Sequence, residues 1–145
     1  MEHIPRLMKL FNLEDHEDQR INSYSTGQRK KIALAAALAA EAPIMLLDEP
    51  FSGGLDPSGI AALKRVLNYH RQRRDVTVVM ATPVPEVVEE LSDRIAILRD
   101  GRIVAYDTLA ALRRQSGVDG KLEEVYERIA SPGSAQKVDR YFEGM

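Results

Sequence analysis

The chain has 145 residues, of which 44% are apolar and 29% charged, and a formal net charge of −2. That is the length of one domain with material for a real core, and it lacks the basic excess that marks a nucleic-acid-binding surface. With no cysteine, disulfides and thiolate metal sites are excluded, and a reducing compartment is the expected setting.

Ile4, Leu7, Met8 and Phe11 recur at helical spacing and predict a short opening helix. Glu14-Asp15-His16-Glu17-Asp18 is a polar, acidic stretch and reads as a solvated loop. A second helix is expected from about Thr26 to Ala40. It is apolar nearly all round after Lys31, which predicts burial on several sides. Pro43 stops it, and Ile44 to Leu47 is a continuous apolar run of the kind buried on both faces of a parallel sheet. Asp56-Pro57 reads as an N-cap and first-turn proline, with Ile60, Leu63, Val66 and Leu67 facing inward on the helix that follows and Arg71, Arg73 and Arg74 near its end. Val76 to Met80 is the second strand, Glu86 to Leu91 a helix, and Ile95 to Leu98 the third strand. Asp100-Gly101 predicts a tight hairpin to Arg102–Ala105. Asp107 is expected to cap a short helix to Arg114. Gly117, Gly120, Pro132 and Gly133 divide the tail, where Leu122, Val125, Tyr126 and Ile129 form one apolar stripe and Val138, Tyr141 and Phe142 a shorter one. Strands alternating with helices predict an α/β fold with a largely parallel sheet. The longest apolar runs, Ile32 to Ala40 and Ala42 to Leu47, are split by Glu41 and fall short of the ~18 residues of a membrane span. No basic-then-apolar leader opens the chain.

Three segments carry chemistry. Asp48 and Glu49 put adjacent carboxylates where an apolar strand surfaces, and neighbours at a strand end point to different places. One can serve Mg²⁺ while the other orients a water, the two tasks that phosphoanhydride hydrolysis asks of a protein. Ser25-Thr26-Gly27-Gln28 is a capping box, Ser25 at the cap and Gln28 three residues on. Gly27 is a poor helix former, and its place in the first turn suits a ligand that approaches the backbone closely. Gly54-Leu55-Asp56-Pro57 reads as a turn into a capped helix, and the basic clusters Arg29-Lys30-Lys31 and Arg71 to Arg74, at helical positions, read as solvated faces.

Their order resembles the ABC-type ATPases. Residues 24 to 112 carry the resemblance: Ser25 to Gln28 is similar to the family's signature motif, Ile44 to Glu49 to its Walker B strand, and Leu55-Asp56 to its D-loop. The expected fold is an incomplete P-loop NTPase (RecA-like) nucleotide-binding domain with a C-terminal β-hairpin. Residues 1–115 would form the C-terminal part of the ATP-binding domain and residues 116–145 a helical extension, whose Leu122 to Tyr126 is similar to the tails of ABC exporter subunits. The resemblance implies that Asp48 binds Mg²⁺ and Glu49 polarises the attacking water. It implies that Ser25, Gly27 and Gln28, with Thr26 inside the motif, meet the γ-phosphate of ATP held by a second ABC subunit in a head-to-tail homo- or heterodimer. Asp56 would link the two sites. Membrane-spanning transporter subunits would be the other partners, placing the protein peripherally on the cytoplasmic face of a membrane, with no nucleic acid.

The chain also departs from the family. A Walker A loop needs Gly-x-x-x-x-Gly-Lys-Ser/Thr. The only Gly-Lys here, Gly120-Lys121, has Gln115 in place of the first glycine and Leu122 in place of the hydroxyl. Pro83 stands where the family has its switch histidine, Thr26 where the signature has glycine, and Tyr24 where it has leucine. The chain alone is therefore expected not to bind ATP tightly or hydrolyse it. Two other readings are a non-enzymatic partner that donates its signature in trans to a full-length subunit, and a shortened reading frame without function. The family's Walker A strand lies between those resembling Val76–Met80 and Ile95–Leu98. The chain is thus expected to fold poorly alone, to pair those edges elsewhere, or to close the gap.

Overall fold

The computed structural model describes residues 3–73, 76–131, 133 and 141. Arg74, Pro132, Val138 and Phe142, which entered the expectations above, lie outside them. The chain divides into two compact units, Met1–Pro83 and Val84–Met145.

In the first unit, α1 (His3–Leu10) turns Leu7 and Met8 inward and leaves Ile4 exposed. Asn12 then adopts a left-handed φ of 53°, and Phe11 and Leu13 on either side of it are fully buried. The acidic stretch is not simply a solvated loop: Glu14–His16 forms one 3-10 turn, and His16 is drawn partly inward. A second such turn, Ile21–Ser23, leads into α2 (Thr26–Ala39). Only Lys31, Leu34, Ala35 and Leu38 of α2 are buried, while Ala33, Ala36 and Ala37 face outward. The expectation of burial on several sides fails because alanine serves helix propensity as well as it serves packing.

β1 (Ile44–Asp48) and β2 (Thr77–Ala81) pair in parallel, Ile44 opposite Thr77 through Asp48 opposite Ala81. α3 (Pro57–Arg73) connects them and buries Gly59, Ala62, Leu63 and Leu67. The strands are not buried on both faces. Met45 and Leu47 are inside, but Ile44, Leu46 and Val79 are 61%, 75% and 56% exposed on the opposite face.

In the second unit, α4 (Pro85–Leu91) opens with proline at its first turn. β3 (Ile95–Arg99) and β4 (Arg102–Asp107) form the expected hairpin, with Arg99 opposite Arg102. Asp100 and Gly101 take φ of 50° and 73°, the pair of left-handed residues that a two-residue turn between twisted strands requires. α5 (Leu109–Ser116) is capped by Thr108, whose hydroxyl accepts from the Ala111 amide, not by Asp107 as expected. Asp107 ends β4, and its carboxylate accepts from the Thr108 amide instead. α6 (Leu122–Ala130) closes a core of Ile95, Ile97, Leu112, Leu122, Val125 and Ala130. Among the described strands there is one two-stranded parallel sheet and one two-stranded antiparallel sheet.

Candidate functional site

The site is built on the N-terminus of α2. Ser25 has extended backbone, and its hydroxyl accepts from the Gln28 amide at 3.2 Å. The Gln28 carboxamide oxygen accepts from the Ser25 amide at 2.8 Å. The capping box read from sequence is therefore formed in full. It satisfies two of the amides that a helix start leaves open.

Gly27 has a structural reason to be glycine that its place in the sequence does not show. A Cβ there would stand 2.6 Å from the carbonyl oxygen of Gly54. The close neighbour is this chain's own backbone, not a ligand, and the contact seats the loop before α3 against the first turn of α2.

The cations of α2 complete that seating. Arg29, Lys30 and Lys31, expected on a solvated face, all turn to the protein. Arg29 Nε donates to the Tyr24 carbonyl at 3.1 Å and Lys30 Nζ to the Glu49 carbonyl at 2.9 Å. Lys31 is buried at 6% exposure, and its Nζ meets Asp56 Oδ2 at 2.7 Å. Charges were read as solvated because they usually are. The overlooked signal was Asp56, a carboxylate in the following turn able to pair with one of them.

Asp56 caps α3 as expected: its Oδ1 accepts from the Gly59 amide at 2.7 Å and from the Ser58 hydroxyl at 2.9 Å. The Lys31 hydrogen bond first, and the Gly59 amide next, hold its carboxyl down to about 2. Ser25, Gly27, Gln28, Lys31, Gly54 and Asp56, with Asn12, line one polar hollow of about 470 Å³.

Asp48 and Glu49 sit at the C-terminal end of β1, both exposed. Glu49 has a φ of 43°, a left-handed conformation that an L-residue adopts at a cost of roughly 1–2 kcal/mol. It is held there by its amide donating to the Ala81 carbonyl at 2.8 Å and by Ser52, whose hydroxyl donates to the Glu49 carbonyl at 2.9 Å and carboxylate at 3.1 Å. Strain of this sort persists where the surroundings over-determine it, as functional sites do. Asp48 lies opposite Ala81 in the ladder, so Pro83, two residues beyond, follows the same end of the sheet. Among the described residues no group of three or more His, Cys, Asp or Glu converges to hold a metal. Asp48 and Glu49 supply two exposed carboxylates at one strand end, and Mg²⁺ sites commonly combine one or two carboxylates with substrate phosphates.

Gly120-Lys121 is no phosphate loop. The Gly120 carbonyl accepts from Arg113 Nε at 2.7 Å. The first amides of α6 are taken by carboxylates of the chain itself, Lys121 N by Glu124 at 3.1 Å and Leu122 N by Glu89.

Comparison with known proteins agrees with this geometry. The family model described as ABC transporter matches residues 2–52. The sulfate/thiosulfate import ATP-binding protein CysA of Xanthomonas campestris pv. campestris is 41% identical over 129 residues, covering 89% of this chain and 34% of that protein. The spermidine/putrescine import ATP-binding protein PotA of Mycoplasmopsis synoviae is 34% identical over 105 residues, covering 72% and 23%. A solved ATP-binding subunit of an ABC transporter superposes with a TM-score of 0.82 at 31% identity, covering 88% of this chain and 53% of that one. The fold is thus the α/β architecture of an ABC nucleotide-binding domain, present in part. The chain spans about a quarter to a third of the length of the curated relatives it matches.

Proposed function

We propose that this chain, homologous to part of an ABC-transporter ATP-binding domain, supplies the signature of one ATP site and the Walker B carboxylates of another, the phosphate-gripping loops of both lying on other residues. The observation that carries this reading is the hollow in which Ser25, Gly27, Gln28 and Asp56 meet. They are the signature and D-loop positions, brought together by a completed capping box and by the Lys31–Asp56 pair.

In this reading residues 1–115 belong to the ATP-binding domain and residues 116–145 extend it. The amide-rich first turn of α2, with the Ser25 hydroxyl and the Gln28 carboxamide, meets the γ-phosphate of ATP bound by a second subunit. Thr26 adds a side chain where the signature has a bare backbone. Asp56 stands at the junction of the two sites. Asp48 would hold Mg²⁺, whose charge offsets that of the phosphates, and Glu49 aligns the attacking water. Pro83 has neither an N–H to donate nor a side-chain acceptor, so a histidine's contact to the γ-phosphate is lost. The complete assembly would hydrolyse Mg-ATP on the cytoplasmic face of a membrane to drive transport through membrane-spanning subunits, and it would need no nucleic acid. Among the described residues no helix is long and apolar enough to cross a membrane.

Two measurements test this. Calorimetry of the purified chain with Mg-ATP is expected to show no micromolar binding. Mixing the chain with a complete ABC ATP-binding subunit is expected to change the ATPase rate, and Ser25→Arg to cancel the change. Micromolar binding by the chain alone, or a mixture in which Ser25→Arg behaves as wild type, overturns the reading.

A further inference from the structure

The Gln28 carboxamide has a second partner. Its Nε2 lies 2.8 Å from Nε2 of His16, in the 3-10 turn Glu14–His16. The orientation of a carboxamide is often a choice, but here a backbone group decides it. The Ser25 amide can only donate, and it points at Gln28 Oε1. The Gln28 NH₂ therefore faces His16, and an NH₂ can only donate. His16 Nε2 must present its lone pair, so the ring is neutral and carries its proton on Nδ1. That nitrogen is buried with no hydrogen-bond partner.

We infer that His16 is a positioning residue for the signature glutamine: its neutral ring holds Gln28 in the capping box, and a second proton on the ring releases it. Protonation would set an N–H of the ring against the Gln28 NH₂ across the 2.8 Å gap. Turning the carboxamide over relieves that clash only by placing its NH₂ against the Ser25 amide. Either way Ser25 loses its acceptor and Gln28 its fixed orientation. The surroundings keep the ring in place for this. The Tyr24 ring packs edge-on at 5.9 Å between centroids, and the Tyr24 hydroxyl donates to the His16 carbonyl at 2.6 Å. Glu14, Asp15, Glu17 and Asp18 share its stretch, α1 with Arg6 and Lys9 packs against the turn, Tyr24 lies beside it, and Arg29 donates to the Tyr24 carbonyl. The latch is closed while the ring is neutral and opens when the ring gains a second proton.

The effect on ATP turnover rests on the function proposed above, but the latch does not. It is tested by NMR pH titration of the whole ¹⁵N-labelled chain, with the His16 ring protons followed alongside the amides. The Ser25 amide resonance is expected to move with the same midpoint as the His16 ring protons. In Gln28→Glu, both carboxylate oxygens accept, so Ser25 keeps its acceptor and its response is lost while the ring still titrates. A wild-type Ser25 amide that stays fixed while the ring titrates overturns the latch, as does a full response in Gln28→Glu. In the mixture with a complete subunit, the change in ATPase rate should fade over the same pH range. If Ser25 responds and the rate does not, the latch stands and the trans-acting reading fails.

Discussion

The hairpin β3·β4 and the parallel pair β1·β2 both place apolar side chains at alternate positions, yet they meet different company. In the second unit α6 lies on β3 and α5 on β4, and the fully buried Leu112 and Val125 belong to those helices. In the first unit the fully buried Phe11, Leu13 and Leu63 sit on helices and the turn after α1. One whole face of β1·β2 is left outside, from Ile44 through Leu46 to Val79. The unit that carries the tail finishes a core of its own. The unit that carries the candidate site spends its side-chain contacts on holding loops: Lys30 on Glu49, Lys31 on Asp56, Gly27 against Gly54. The sheet that ends in the acidic pair thus keeps an uncovered apolar face, and an uncovered sheet with free edges invites pairing with other chains.

The largest effect that can break this comparison is expected at Leu112. Leu112→Ala empties a site with no exposure, in contact with Ile95, Ile97 and Val125. It should cost about 2–5 kcal/mol, read as lost hydrogen-exchange protection in β3 and β4. A cost near zero would mean that the tail helices do not hold the second unit together.

Gly27→Ala comes next. Its methyl would press on a backbone carbonyl rather than on a flexible side chain, and overpacking of this kind costs roughly 1–3 kcal/mol. Urea unfolding of the first unit checks it, and Gly54 amide exchange shows whether the loop has parted from α2. An unchanged midpoint would leave the hollow without the contact that shapes it.

Much of this was legible in the sequence, and the failures share a cause. The capping box, the Asp56 cap, the Asp100-Gly101 turn and the apolar stripe of α6 are local patterns, each fixed by residues a few positions apart. What could not be read depends on residues far apart in the chain. Gly27 was assigned to a ligand because nothing local says that Gly54 will come to it. Lys31 was assigned to solvent because Asp56 is 25 positions away. His16 lay in a run of acids that looks solvated, and only the fold brings it to Gln28. The both-faces burial of β1 was inferred from an unbroken apolar run. Such a run reports what the finished sheet needs, not what these residues alone provide.

A smaller effect is expected from acid. The folded-state value of Asp56, about 2, lies below the usual 3.8. Its stabilisation is therefore fully present above pH ~4 and is lost as pH falls toward 2. The Asp56 side chain is 51% exposed, so solvent screening trims the contribution to about 1 kcal/mol. Asp56→Asn should flatten the stability of the first unit between pH 5 and 2 by that amount. If wild type and variant lose stability in parallel over that interval, the Lys31–Asp56 pair does not tie the loop to α2.

The smallest effect is the sharpest test. Leu46 is 75% exposed on the outer face of β1, so in this chain by itself Leu46→Asn should change stability by no more than about 0.5 kcal/mol. It should also make the chain less prone to associate, because it breaks the apolar stripe that runs from Ile44 to Val79. The neighbouring Leu47 points the other way and is 8% exposed, so Leu47→Asn buries a carboxamide among apolar side chains and should cost several times more. The ratio between these adjacent positions measures how one-sided the sheet is. Equal costs would mean that something already covers the outer face of β1 in solution. A large ratio would leave the acidic pair at the end of a sheet whose outer face is open to another polypeptide, as the proposed function requires.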